Sequence, residues 1–185
     1  MERPGRIALA AVAEAERQVG VCEVGGQNRG PEVEGYLRAV GLGPGFAWCA
    51  AFVRFCLEAG ERESMLGGSS LLIPAGFPDT GWADSYRAWA QRNDLWIPSG
   101  ASCDVAESDA QRGDLACFWF EAKGRVAHVG LVARWRTVYQ METVEGNTGP
   151  TGALGEVERE GDGVYRKLRR VSDMGCGGGF VRIPW

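Results

Sequence analysis

The sequence predicts an α+β fold in which N-terminal helices pack on a C-terminal antiparallel β-sheet, and three observations carry that expectation. Residues up to about 93 place apolar side chains at helical spacing, and residues from Gly113 onward form short β-rich runs. Glycine-rich segments punctuate the chain without dividing it, and no internal repeat appears. Helices first and strands afterwards favour α+β over alternating βαβ units with a parallel sheet. A chain of 185 residues buries roughly 70 % of the surface its unfolded form exposes, enough for one core, so residues 1–185 are read as one domain.

The first helix is expected over residues 6–19, with Ile7, Leu9, Val12 and Val19 among its apolar positions. Arg3 and Arg6 ahead of the apolar run 7–13 resemble a short secretory signal, but Glu14 and Glu16 interrupt that run at the minimum length of an apolar core. A polar loop follows at 23–30, and Pro31 opens a helix over 32–40 from its preferred first-turn position. Gly41-Leu-Gly-Pro-Gly45 ends that helix. Residues 49–59 form the clearest helix, because Cys49, Phe52, Val53, Cys56 and Leu57 fall at i, i+3, i+4, i+7 and i+8; Gly60 is expected to stop it. Residues 61–81 read as a long connection. A helix over 82–93 then carries a stripe of Trp82, Tyr86 and Trp89. That stripe is first a core face and, alternatively, part of a ligand groove. Strands are expected at 115–120, 126–133, 137–145, 164–168 and 180–183.

Composition excludes several function classes. An apolar fraction of 45 % and a charged fraction of 24 % are those of an ordinary globular chain. A net charge of -4 gives no reason to expect nucleic acid. The basic stretch Arg166, Lys167, Arg169, Arg170 is interleaved with apolar residues and reads as a solvated strand edge. Six cysteines (Cys22, Cys49, Cys56, Cys103, Cys117, Cys176) without a CxxC pair or regular spacing make neither a disulfide framework nor a zinc site. A single histidine, His128, excludes a His-rich metal cluster. No run approaches the roughly 20 apolar residues of a membrane span.

Chemistry concentrates at three places. Cys49 follows a glycine-rich turn and opens a helix, where the helix dipole favours the thiolate, the nucleophilic form. From position alone it is equally a half-buried structural thiol. His128 lies within Arg125-Val-Ala-His-Val-Gly-Leu-Val132, whose alternation places Val126, His128, Gly130 and Val132 on one face. An imidazole in so apolar a strand needs a hydrogen-bond partner. Glu145 and Asn147, two apart in Thr143-Val-Glu-Gly-Asn-Thr148, share a side if the strand persists that far, and either would fix the His128 tautomer.

Taken in order, Phe46-Ala-Trp-Cys-Ala-Ala-Phe-Val53, Arg112-Gly-Asp-Leu-Ala-Cys-Phe118, Ala127-His-Val-Gly-Leu-Val132 and Val144-Glu-Gly-Asn-Thr148 resemble the signature of the CHAP family of papain-like cysteine, histidine-dependent amidohydrolases and peptidases. The loop at 23–30 is similar to that of members from phage lysins and bacterial cell-wall enzymes. The resemblance spans the chain and leaves no residues for a separate wall-binding domain.

What the resemblance implies is a papain-like fold, a nucleophile at Cys49, a general base at His128, and Glu145 with Asn147 completing the site. It implies a peptidoglycan substrate cut at an amide, within the stem peptide or between peptide and muramic acid. Gln27 or Asn28 is the expected second oxyanion donor beside the Cys49 backbone N–H, and Trp48 is an expected groove residue. Residues 42–47 contain no carboxylate, so the calcium loop of some phage members is not expected, nor is any other metal or cofactor. The expected form is a monomer made in the cytoplasm that acts on the wall after release or delivery. Two alternatives stand beside this: an amidase for a non-wall γ-glutamyl or polyamine amide, and a catalytically idle domain that binds wall polymer or protein.

Overall fold

The computed structural model describes residues 4–68, 72–99, 110–150, 157–158 and 160–185; Cys103 lies outside them. Helix α1 is Arg6–Arg17, and its buried stripe is Ile7, Ala8, Ala11, Val12 and Ala15. Leu9 and Val19 are exposed, contrary to the expected stripe. Leu9 lies two residues from Ile7, on the far side of a 3.6-residue turn, and Val19 lies beyond the helix end. Helix α2 is Pro31–Ala39 with Pro31 at its start and Val33, Tyr36 and Leu37 buried.

Helix α3 is Cys49–Leu66 and runs straight through Gly60, which was expected to stop it. The glycine marks a crossing. A Cβ there would lie 2.6 Å from the Ile7 carbonyl oxygen and 2.8 Å from the Ala11 nitrogen, so only the absence of a side chain lets α1 and α3 approach so closely. Helix α4, Asp84–Arg92, starts two residues later than expected. Tyr86 and Trp89 are buried against Phe77, and Trp89 packs edge-on to Trp185. Trp82 lies outside the helix and is 53 % exposed, so the expected three-ring stripe is a two-ring core face.

The strands are β1 (Trp96–Pro98), β2 (Leu115–Phe120), β3 (Arg125–Thr137), β4 (Gln140–Thr148), β5 (Gly163–Arg170) and β6 (Gly179–Val181). They form one antiparallel sheet in the order β1-β6-β2-β3-β4-β5. β1 carries no period-2 signal, being three residues long with a proline at the sheet edge. Thr137 ends β3 instead of opening β4, because Val138 and Tyr139 make the exposed hairpin turn between them.

α1 and α3 cover one face of the sheet, where Leu115, Cys117, Val129, Leu131, Val144 and Val181 join the helical core. On the other face Ala116, Phe118, Val132, Met141 and Phe180 form a second cluster, closed by a 3₁₀ turn at Val171–Met174. Each fully buried side chain of this size contributes on the order of 1.5–3 kcal/mol. Among the described residues no helix is long and apolar enough to cross a membrane.

Candidate active site

Cys49 is the first residue of α3, and its side chain is 4 % exposed at the wall of a cleft. The first N–H groups of a helix have no intrahelical partner, and they point at whatever sits at the helix start. The Cys49 sulfur faces the His128 ring and the backbone N–H groups of Ala50 and Val129.

His128 reaches this position through an irregularity in β3. Phe118 pairs with His128 but the next residue, Trp119, pairs with Val126, so Ala127 is an extra residue on β3. The expected alternation fails there, and Val126 packs in the helix-side core while Val132 packs in the cluster behind the sheet. The extra residue is a β-bulge, which re-aims side chains beside it. The His128 ring is fully buried against Phe118, with ring centroids 5.7 Å apart.

Glu145, one strand away on β4, lies 2.8 Å from His128 Nε2 through Oε2. Gly130 makes this possible: a Cβ at that position would stand 2.5 Å from Glu145 Cγ. With Nε2 engaged, Nδ1 is the nitrogen left for the thiol. Nδ1 is buried and makes no hydrogen bond of good geometry, so its interaction with the nearby Cys49 is a loose one.

Asn147 does not share a side with Glu145 as an unbroken strand would require. It sits at φ 58°, and the pairing of β4 with β5 shifts between Glu145 and Thr148. Its Oδ1 accepts from the Trp48 backbone N–H at 2.9 Å, and its Nδ2 donates to Asn28 Oδ1 at 3.1 Å and to the Gly161 carbonyl at 2.9 Å. Asn147 therefore holds the chain just ahead of Cys49, while Glu145 holds the imidazole.

Trp48 is not a groove residue. Its side chain is fully buried, stacked on Tyr36 at 5.5 Å, and its indole N–H donates to Glu23 Oε1 at 3.1 Å. Asn28 is likewise committed, with its backbone N–H on Glu23 Oε2 at 2.9 Å and its Nδ2 near the Gly45 carbonyl at 3.5 Å. It ties the loop at 23–30 to the turn before Cys49, with its Oδ1 accepting from Asn147 and one Nδ2 hydrogen turned toward Gly45. Gln27 is exposed and lines a cleft with Gly45 and Ala47.

Two clefts meet at Ala47. One, of about 390 Å³, has Cys49 in its wall beside Val40, Leu42, Phe46, Trp82 and Arg125, whose guanidinium stacks 3.8 Å above the Trp82 ring. The other, of about 420 Å³, is polar, with Glu23, Gln27, Glu160 and Asp162 around it.

Behind His128 lies a group that the sequence reading missed. Arg169 donates from Nε to Glu145 Oε1 at 2.8 Å and from Nη2 to Oε2 at 2.6 Å, and Thr143 Oγ1 donates to Oε1 at 2.5 Å. The basic stretch is therefore not a solvated edge throughout. Lys167 and Arg169 alternate inward and are buried, while Arg166 and Arg170 face outward. The signal was there in the period-2 spacing of 167 and 169, on the same strand face.

These contacts set the charges. Burial favours neutral Glu145, but the Arg169 fork and His128 outweigh it and hold the carboxylate far below its usual range. Burial also opposes the imidazolium, yet hydrogen bonding and charge from Cys49 and Glu145 lift His128 to about 9. Burial works against the Cys49 thiolate too, and His128 with the two N–H groups overcomes it and lowers the thiol. Cys56 and Cys117, buried without such partners, are pushed up. Among the described residues no cluster of three His, Cys, Asp or Glu is arranged to hold a metal ion. No family model, curated protein or solved structure matches the chain.

Proposed function

We propose that the chain is a CHAP-like, papain-like cysteine amidohydrolase that cuts an amide bond of peptidoglycan. The observation that carries this is the polarity of the histidine: Nε2 is taken by a buried carboxylate, and Nδ1 is left facing a helix-start thiol. In this arrangement proton transfer from Cys49 to His128 creates a thiolate stabilised by helix N–H groups and an imidazolium stabilised by Glu145.

The thiolate attacks the scissile carbonyl carbon, and the C=O electron pair moves onto oxygen. The Cys49 backbone N–H is one donor for that oxyanion, and Gln27 or Asn28, both at the adjoining cleft, is the candidate for a second. The imidazolium then protonates the leaving amine as the C–N bond breaks, giving a thioester. Water, deprotonated by His128, attacks the thioester and releases the acid with the Cys49 sulfur as leaving group.

Peptidoglycan as substrate follows from the ordered resemblance to cell-wall enzymes. An amidase acting on another γ-glutamyl or polyamine amide is favoured by one observation, the carboxylates around the polar cleft, which suit an amine-bearing group. Digestion of purified peptidoglycan, with mass spectrometry of the released muropeptides, separates the two. Wild type is expected to release fragments with a new carboxylate and a new amine at one amide position, and Cys49→Ala to release none. Equal digestion by both proteins, or no fragments from either, sinks the proposal.

A further inference from the structure

We propose that Arg169 is a positioning residue for the Cys49–His128 pair: by clamping both oxygens of Glu145 it fixes the carboxylate that orients the imidazole and keeps the buried site electrically balanced. The inference rests on the assignment of Cys49 and His128 as the reacting pair. Neither the ordered resemblance nor the alternation of β3 points to this arginine.

The geometry is a fork on a carboxylate, with Nε and Nη2 at 2.8 and 2.6 Å from the two oxygens, and side chains 2 % and 0 % exposed. Such bidentate contacts fix direction as well as charge. Oε1 is shared with Thr143 and Oε2 with His128 Nε2, so the carboxylate cannot rotate without losing at least one bond. The guanidinium also lies 5.2 Å from the Phe118 ring centre, and that ring packs on His128. Arg169 thus bears on the imidazole through two intermediaries, the Glu145 carboxylate and the Phe118 ring.

Charge bookkeeping explains why a cation belongs there. Cys49, His128, Glu145 and Arg169 sum to zero with a neutral thiol and imidazole, and again with a thiolate and imidazolium. Proton transfer between sulfur and ring therefore never adds net charge to a buried site. Without Arg169 the site carries one negative charge in both states, which penalises the thiolate at this depth.

The other groups around the site do not replace it. Tyr86 of α4, whose hydroxyl donates to the Ala50 carbonyl at 3.1 Å, and Cys117 of β2 are close enough to interact with Cys49, and burial holds both in their neutral forms. Lys167 of β5 is adjacent, but its ammonium donates to the Gly149 carbonyl at 2.9 Å. Glu158 and Asp173 act on Arg169 as more distant charges.

The test is alkylation of Cys49 by iodoacetamide across pH, followed peptide by peptide in the full chain, with thermal unfolding to confirm folding. Arg169→Met is expected to raise the apparent thiol pKa by about one unit, a roughly tenfold loss of thiolate at slightly acid pH. The sign holds by either route, whether Glu145 takes up a proton or keeps its charge unbalanced. Arg169→Lys, which keeps the charge but not the fork, is expected to shift less than half as far. Should Arg169→Met fail to fold, Arg169→Lys carries the test, since loss of the fork alone is expected to raise the pKa measurably. A folded Arg169→Met or Arg169→Lys with the wild-type profile overturns the proposal. Because alkylation needs no substrate, a wild-type protein with a lowered Cys49 pKa that cuts no peptidoglycan overturns the hydrolase assignment and leaves that of Arg169 standing.

Discussion

Two glutamates three residues apart on β4 meet arginines in opposite settings. Glu142 has a side chain only 9 % exposed, but the arginines that converge on it, Arg134, Arg136 and Arg166, lie at the rim with side chains 54, 48 and 39 % exposed. Glu145 lies in the interior, with Arg169, His128 and Thr143 around it and almost no solvent. Arg134 foremost, and Arg136 beside it, hold Glu142 down to about 2 against the opposing effect of burial. Abundant partners and a depressed carboxylate thus occur at both places. What differs is water: solvent screens and replaces the rim contacts, whereas nothing substitutes for a lost partner at Glu145.

Parallel Glu→Gln substitutions break this comparison most directly. Glu145→Gln leaves Arg169 buried without its counter-ion, and chemical denaturation is expected to show a loss of about 3–5 kcal/mol. Glu142→Gln, with identical chemistry, is expected to cost about 0–1 kcal/mol. Equal losses would mean that burial does not decide the value of these pairs.

Gly130→Ala is the next largest perturbation. Its methyl group would have to displace Glu145 Cγ from 2.5 Å, and the expected cost is about 1–3 kcal/mol. The variant is also expected to raise the Cys49 pKa by loosening Glu145 from His128. A raised alkylation pKa without lost stability, or the reverse, would separate site geometry from packing.

The pH dependence sharpens the same contrast. Glu145 is depressed in the folded state, so its stabilisation is present above the ordinary carboxylate value of 4.5 and is lost as pH falls below it. His128 is raised to about 9 from 6.5, so its stabilisation is present below 6.5 and is lost as pH rises through about 9. The lowered Cys49 thiol contributes in the opposite sense over the same range, its stabilisation growing as pH rises, so the alkaline limb is shallow. Tm is therefore expected to fall chiefly below about pH 5, and Glu145→Gln should flatten that acid limb. The smallest expected effect is that of salt: raising ionic strength to 1 M shortens the screening length to about 3 Å. It should weaken the Glu142 cluster while leaving the alkylation profile of Cys49 almost unchanged.

Much of the α+β layout was legible in local patterns. Pro31 and the i, i+3, i+4 spacing of Cys49, Phe52 and Val53 give the helix starts, and the β-rich runs after Gly113 give the central strands. What the pattern hid depends on non-local approach. Gly60 reads as a stop until α1 is known to cross at that residue, and Ala127 reads as a strand residue until β2 supplies the pairing that makes it a bulge. At the site, Cys49, His128 and Glu145 are brought together. The split between Glu145 and Asn147 was hidden, because a positive φ at Asn147 turns its amide toward Trp48. Trp48 looked like a groove aromatic only because sequence does not show that Tyr36, Phe52 and Glu23 enclose it. Arg169 was hidden by its neighbours, since four basic residues in a row of five read as one surface until alternate burial separates them.

The most direct measurement is site-resolved alkylation of the wild-type chain at pH 6.5, using its exposed cysteines as internal standards. Cys22 and Cys176 are exposed, whereas Cys49 is 4 % exposed. Accessibility alone would modify the first two before Cys49. The thiolate–imidazolium pair supported by Glu145 predicts the opposite order, with Cys49 reacting fastest despite being the least accessible of the three. Rapid labelling of Cys22 and Cys176 with an inert Cys49 would contradict it.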